Sequence, residues 1–216
     1  MIPSEIVHHL EVRRLTTPRS AALAGILFAI LFSSSIVLLR IAFPADLRTN
    51  TDWMEIGARQ IELALTLMPF AGITFLWFIG VVRDKLGEFE DKFFSSVFFG
   101  SSLLFLSMVF TSMAIAGGIL SSVRQGIQQD VIIFGRDVML QINNVYAIRM
   151  AGVFMISLGT IWWRTGLMPR WLAISTLLIA LTLLTVINLR LWIALIFPAW
   201  VFMISVYILV NRLRTT

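Results

Sequence analysis

Six long apolar stretches dominate the chain, at residues 21–43, 61–82, 93–120, 146–163, 171–187 and 191–210. A helix needs about 20 mostly apolar residues to cross the hydrocarbon core of a bilayer, which is about 30 Å thick. Inside lipid every backbone N–H and C=O must be bonded within the segment, so an isolated apolar run of this length crosses as a helix. Hydrophobic residues make up 58% of the 216 and charged residues 13%. A soluble domain carries about 25% charged residues, so a chain with half that share cannot cover a water-facing surface. The prediction is an all-α, polytopic transmembrane bundle of six spans over residues 21–210, with residues 1–20 and 211–216 as tails.

The lysines and arginines orient the spans. With the N-terminus inside, the cytoplasmic segments hold Arg13, Arg14, Arg19, Arg83, Lys85, Lys92, Arg164, Arg170, Arg212 and Arg214, and the outer loops hold Arg48, Arg59, Arg124, Arg136 and Arg190. Both termini are therefore expected in the cytoplasm. Within the first tail, Ile6, Val7, Leu10 and Val12 fall near one side of a helix, which suits an amphipathic segment lying on the inner surface before Pro18. The net charge of +5 does not imply a nucleic-acid partner, because no basic cluster exceeds three residues and most lie at span borders. They read as topology signals and contacts to anionic headgroups.

Missing residue types narrow the chemistry. The chain has no cysteine, which removes disulfides, thiolate metal sites and cysteine nucleophiles. Its two histidines, His8 and His9, precede every apolar run, so none is placed to ligate a haem or to serve a nucleophile within the bundle. No Asp, Glu, His or Lys lies deep in a span, which argues against a proton-coupled carrier. The residues thus predict no catalytic constellation, no metal site and no cofactor.

Polar groups at the outer ends of the spans are the functional candidates. Arg40 lies near the outer end of span one and Arg149 a similar distance into span four, with Glu62 at the start of span two. Asp137, Gln141 and Asn144 precede span four at spacings of four and three, which would put them on one face of a helix that began early. An arginine fork can meet two oxygens at once, so these six residues make a candidate pocket for an anion or a lipid headgroup. The alternative is that the arginines snorkel to the headgroups and pair with Glu62, Asp46 or Asp137 for structural reasons. The 25-residue outer loop 121–145 carries Val131, Ile132, Ile133 and Phe134. Water does not favour such a patch, so it folds back on the bundle or lies in the interface, or else is offered to a partner protein. The serines and glycines of span three suit close helix packing, with Ser33–Ser35 of span one opposite them; a hydrophilic pore lining is the other reading. Pro69 and Pro198 are expected to kink spans two and six.

The stretches LTTPRSAALAGILFAILF, FAGITFLWFIGVVRDKLGEFEDKFF and RMAGVFMISLGTIWWRTGLMPRWLA resemble an uncharacterised family of bacterial six-span integral membrane proteins, over most of residues 15–210. The resemblance implies a bacterial inner membrane and contributes no activity or site residue. Within it, the Thr165–Ala173 element explains itself: glycine ends one helix, and proline with arginine starts the next at the membrane surface. Taken together, the residues point first to a non-enzymatic accessory or interaction subunit of a membrane assembly. A small-solute or lipid-handling transporter using the outer arginine pocket is the second reading.

Overall fold

The computed structural model describes residues 18–43, 53–86, 92–125, 129–185 and 193–213, and within these every regular element is helical. In chain order they are α1 (Pro18–Ala42), α2 (Trp53–Leu86), α3 (Lys92–Arg124), α4 (Gln129–Gln141), a π-helical turn (Ile142–Ala147), α5 (Ile148–Thr165), α6 (Arg170–Thr185), a single 3-10 turn (Ile193–Leu195) and α7 (Ile196–Leu213). Five helical stretches are long and apolar enough to cross a membrane, and α6 is a shorter apolar helix of 16 residues. The molecule is an α-helical transmembrane bundle. The expected tail helix, His8 and His9, and the middle of the first outer loop lie outside the described residues.

Two connections differ from expectation. α2 starts at Trp53, eight residues before the apolar run, and α3 continues to Arg124. The expected outer loop 121–145 is mostly helix: α4 and the π turn lead directly into α5, one helical path from Gln129 to Thr165. At about 1.5 Å per residue, helices of 33 or 34 residues reach about 50 Å, well beyond the hydrocarbon core. They therefore tilt or project past it, and α4 gains a helical neighbour, α3, to pack against.

The centre is filled by aromatic rings. Phe28 on α1, Phe75 on α2, Phe105 on α3, Phe154 on α5 and Phe197 on α7 are all fully or almost fully buried. Their rings meet at centroid distances of 4.5 Å (Phe28–Phe75), 5.5 Å (Phe75–Phe105), 4.8 Å (Phe105–Phe197) and 5.7 Å (Phe154–Phe197). Tilted and edge-on pairs at such distances contribute about 0.5–1.5 kcal/mol each beyond area burial. Lipid tails are as apolar as leucine, so packing of this kind, not exclusion from water, holds membrane helices together.

Two serines of α3 turn back on their own helix. Ser101 and Ser102 donate back to the carbonyls of Phe98 and Phe99 at 3.1 and 2.6 Å. Ser35 donates to Ala64 O on α2 at 2.7 Å, so its partner is α2 and not α3. The close glycine approaches also lie elsewhere: a Cβ at Gly152 or Gly159 of α5 would come within 3.0 or 3.1 Å of Leu184 or Leu177 on α6, whereas Gly100 and Gly118 of α3 have nothing within 4 Å.

The turn from α5 to α6 follows its sequence. Gly166 takes a left-handed conformation, φ 66°, and its N–H reaches Trp162 O at 3.0 Å. Pro169 O then accepts from Leu172 N at 3.0 Å as α6 begins. Beyond Thr185, α6 pairs with α7: Trp200 Nε1 donates to Thr176 Oγ1 at 3.0 Å, and Trp171 meets Tyr207 edge-on at 6.2 Å. The contacts step forward along one helix as they step back along the other, so the two run antiparallel. Pro198 falls in the first turn of α7, after the 3-10 turn. A first-turn N–H has no intrahelical partner, so proline is tolerated there. Pro69 does lie inside α2.

Candidate functional site

The π turn decides which polar residues meet. A π turn carries one residue more than an α turn, so the side chains after it rotate relative to those before it. Asp137, Gln141 and Asn144 therefore do not form the single face that their α spacing predicts. Asp137 and Gln141 are exposed, whereas Asn143 is buried and Asn144 half-buried.

Arg40 reaches Asn144 directly. Its Nη2 donates to Asn144 Oδ1 at 3.0 Å, and Asn143 Nδ2 approaches the same oxygen at 3.3 Å. Arg40 stands in the last turn of α1, where a cation also faces the negative end of the helix dipole. Neither Nε nor Nη1 of Arg40 meets a hydrogen-bond acceptor among the described residues, although both atoms are buried. Buried donors of a charged group are costly to leave without acceptors, so these two atoms are the unusual feature of the site.

Arg40 also contributes to the wall of a small, partly open cavity of about 30 Å³ between α1, α3 and α4, lined by Ile36, Leu39, Arg40 and Phe43, by Ser112, and by Arg136, Met139, Leu140 and Asn143. That is room for about two water-sized groups. Ser112 uses its hydroxyl hydrogen to bond Met139 O at 3.1 Å, tying α3 to α4. Arg136, absent from the predicted pocket, brings a second positive charge; its Nη1 lies 3.7 Å from the exposed Asp137 carboxylate.

The other predicted members are elsewhere. Glu62 pairs with Arg124 of α3 and not with Arg40, and both side chains are about half exposed. Such a surface pair contributes at most about 1 kcal/mol. Arg149 is half-buried on α5 and does not line the cavity. Of the apolar patch, Ile132 is buried and Ile133 packs on the core, while Val131 and Phe134 are 52% and 70% exposed.

Sequence reasoning missed Arg136, Asn143 and Ser112. By sequence Arg136 falls in an outer loop and Ser112 among the packing serines of span three, and Asn143 falls off the α-helical face of Asp137, Gln141 and Asn144. Two adjacent asparagines at the start of an apolar run are the available signal, since amides there need hydrogen-bond partners. At the opposite end of the bundle, Arg83 stacks over Phe99 at 4.4 Å and Arg164 over Phe94 at 5.0 Å, which suits anchoring. No protein-family model matches the chain, and comparison with curated proteins and with solved structures finds no match in either.

Proposed function

We propose that the protein is a non-enzymatic accessory or interaction subunit of a larger assembly, resident in a bacterial inner membrane with both termini cytoplasmic. One observation carries this reading: the aromatic rings of α1, α2, α3, α5 and α7 interlock at the centre of the bundle. A solute path would have to open through that packing, and the charged side chains sit toward the two ends of the bundle and not at its centre. The outward surface is then the part available for function. On α4, Val131 and Phe134 stand side by side and exposed, a small apolar face that matches a membrane helix of another protein.

Native purification in a mild detergent, followed by mass spectrometry, tests the reading. A stoichiometric membrane-protein partner is expected, and it should be lost from a Val131→Asp/Phe134→Asp variant that still purifies folded. A partner that stays bound to the variant rejects this face, and a partner-free protein rejects the subunit reading. The second reading, a small-solute or lipid-handling transporter, is favoured by the cavity beside Arg40. It requires flux in proteoliposomes that falls in Arg40→Gln.

A further inference from the structure

We propose that the exposed face of α4 docks a basic, apolar-flanked segment of another protein, with Val131 and Phe134 in the contact and Asp130 and Asp137 as its charged borders. The inference rests on the subunit reading and deepens it by assigning the partner's chemistry. At about 100° per residue around the axis of α4, Asp130, Phe134, Asp137 and Gln141 fall within about 60° of one another, with Val131 beside them. All five are exposed, whereas Ile132 and Met139 on the opposite side are buried against the bundle.

The carboxylates place this face outside the hydrocarbon. A charge turned toward lipid tails is costly, an aspartate stem is too short to snorkel as arginine does, and the Asp137 side chain is 64% exposed. Asp130 and Asp137 stand about one turn before and after Phe134, so the ring between them is not dissolved in lipid either. Phe134 at 70% exposure and Val131 at 52% therefore meet polar surroundings, and burial by a partner is favourable for both.

Charge decides the occupant. A helix that settles into the headgroup layer carries lysine or arginine on its polar face, and the exposed positions of α4 carry neither. A second copy of this face, crossing at Phe134 about a twofold axis, would set aspartates against aspartates. Arg136 lies behind the face: its side chain is 18% exposed, and its Nη1 is 3.7 Å from Asp137 Oδ1, longer than a hydrogen bond. Asp130, in the first turn, also suits the helix dipole, but Asp137, two turns further on, gains nothing from it. A lysine or arginine flanked by apolar side chains fits this arrangement, since the cation meets the aspartates while its neighbours cover Val131 and Phe134. Such a segment is found where a membrane helix of another protein leaves the bilayer.

Photocrosslinking of the full-length protein in cells of its native host tests the inference, with p-benzoylphenylalanine in place of Phe134 and the crosslinked peptide identified by mass spectrometry. The expected product joins α4 to a different protein, at a segment with lysine or arginine within about one turn of the attachment point. Its yield should fall at least about fivefold in Asp130→Lys/Asp137→Lys and recover when the partner's basic residue is changed to glutamate. Asp130→Asn/Asp137→Asn should give an intermediate loss, so the test does not depend on the reversed variant folding. A segment without a basic residue, or a yield that neither charge change alters, overturns the inference and leaves the subunit reading standing. Crosslinks only to this chain assign the face to a second copy, and crosslinks only to lipid assign it to the membrane; both overturn the inference. No crosslink from this position overturns it too, and if native purification also retains no partner, the subunit reading falls with it.

Discussion

Gly57 sits where the start of α2 passes the end of α1, and a Cβ built there would lie 2.7 Å from the Ala42 carbonyl oxygen. Backbone cannot step aside as a side chain can, so Gly57→Ala should destabilise by about 1–3 kcal/mol, read as a lower unfolding temperature in detergent. Gly118→Ala is the matched control: nothing lies within 4 Å, and alanine is the better helix former by about 1 kcal/mol. It should unfold at the same temperature or higher. These opposite outcomes were hidden in the sequence, where both glycines belong to apolar helices. What separates them is which neighbour passes close by, and no local pattern records that.

At the scale of elements, the π turn Ile142–Ala147 sets the face that α4 presents. Deleting Val145, at its middle, removes the one extra residue, so the segment should close into an ordinary α-helix with α4 still on its seat. Deleting Met150, within α5 where no extra residue can be absorbed, should instead rotate α4 by about 100° against α5 and swing out Ile132 and Met139, now buried. The native chain has no cysteine, so a disulfide between Gly135→Cys and Ile119→Cys, positions in direct contact, reports that seat cleanly. Crosslinking should be efficient in the full-length protein, kept in the Val145 deletion and largely lost in the Met150 deletion. Equal crosslinking in the two deletions would mean that the turn does not set the register. The α5–α6 turn is the opposite case, because Gly166 and Pro169 encode it within a few residues, and the structure follows them.

For the whole molecule, the aromatic centre should dominate stability. Phe75 touches rings from α1, α3, α5 and α7, so Phe75→Ala should cost about 3–5 kcal/mol. Trp77 is 68% exposed on the same helix, so Trp77→Ala should cost far less. Comparing the two unfolding temperatures separates core packing from lipid contact. Orientation has its own test. Gln125 and Leu167 follow helices that end at opposite ends of the bundle. A cysteine at Leu167 should label from the cytoplasmic side only, and one at Gln125 from the outer side only; the reverse pattern would invert the expected topology.

Apolar run length alone makes the chain a membrane-embedded helical bundle, because the need to bond every backbone group in lipid leaves no other solution. The sequence also placed Arg40 and Asn144 among the candidate site residues, since charged and amide groups are conspicuous against apolar helices. Their 3.0 Å contact across 104 residues was decided by tertiary structure. So were the diversion of Glu62 to Arg124 and the recruitment of Arg136, Asn143 and Ser112. The physical reason is one of register: hydropathy is insensitive to rotation about a helix axis, whereas a hydrogen bond is lost when the helix turns by one residue. A single π turn supplied that rotation, and only packing of α4 against α3 fixed it.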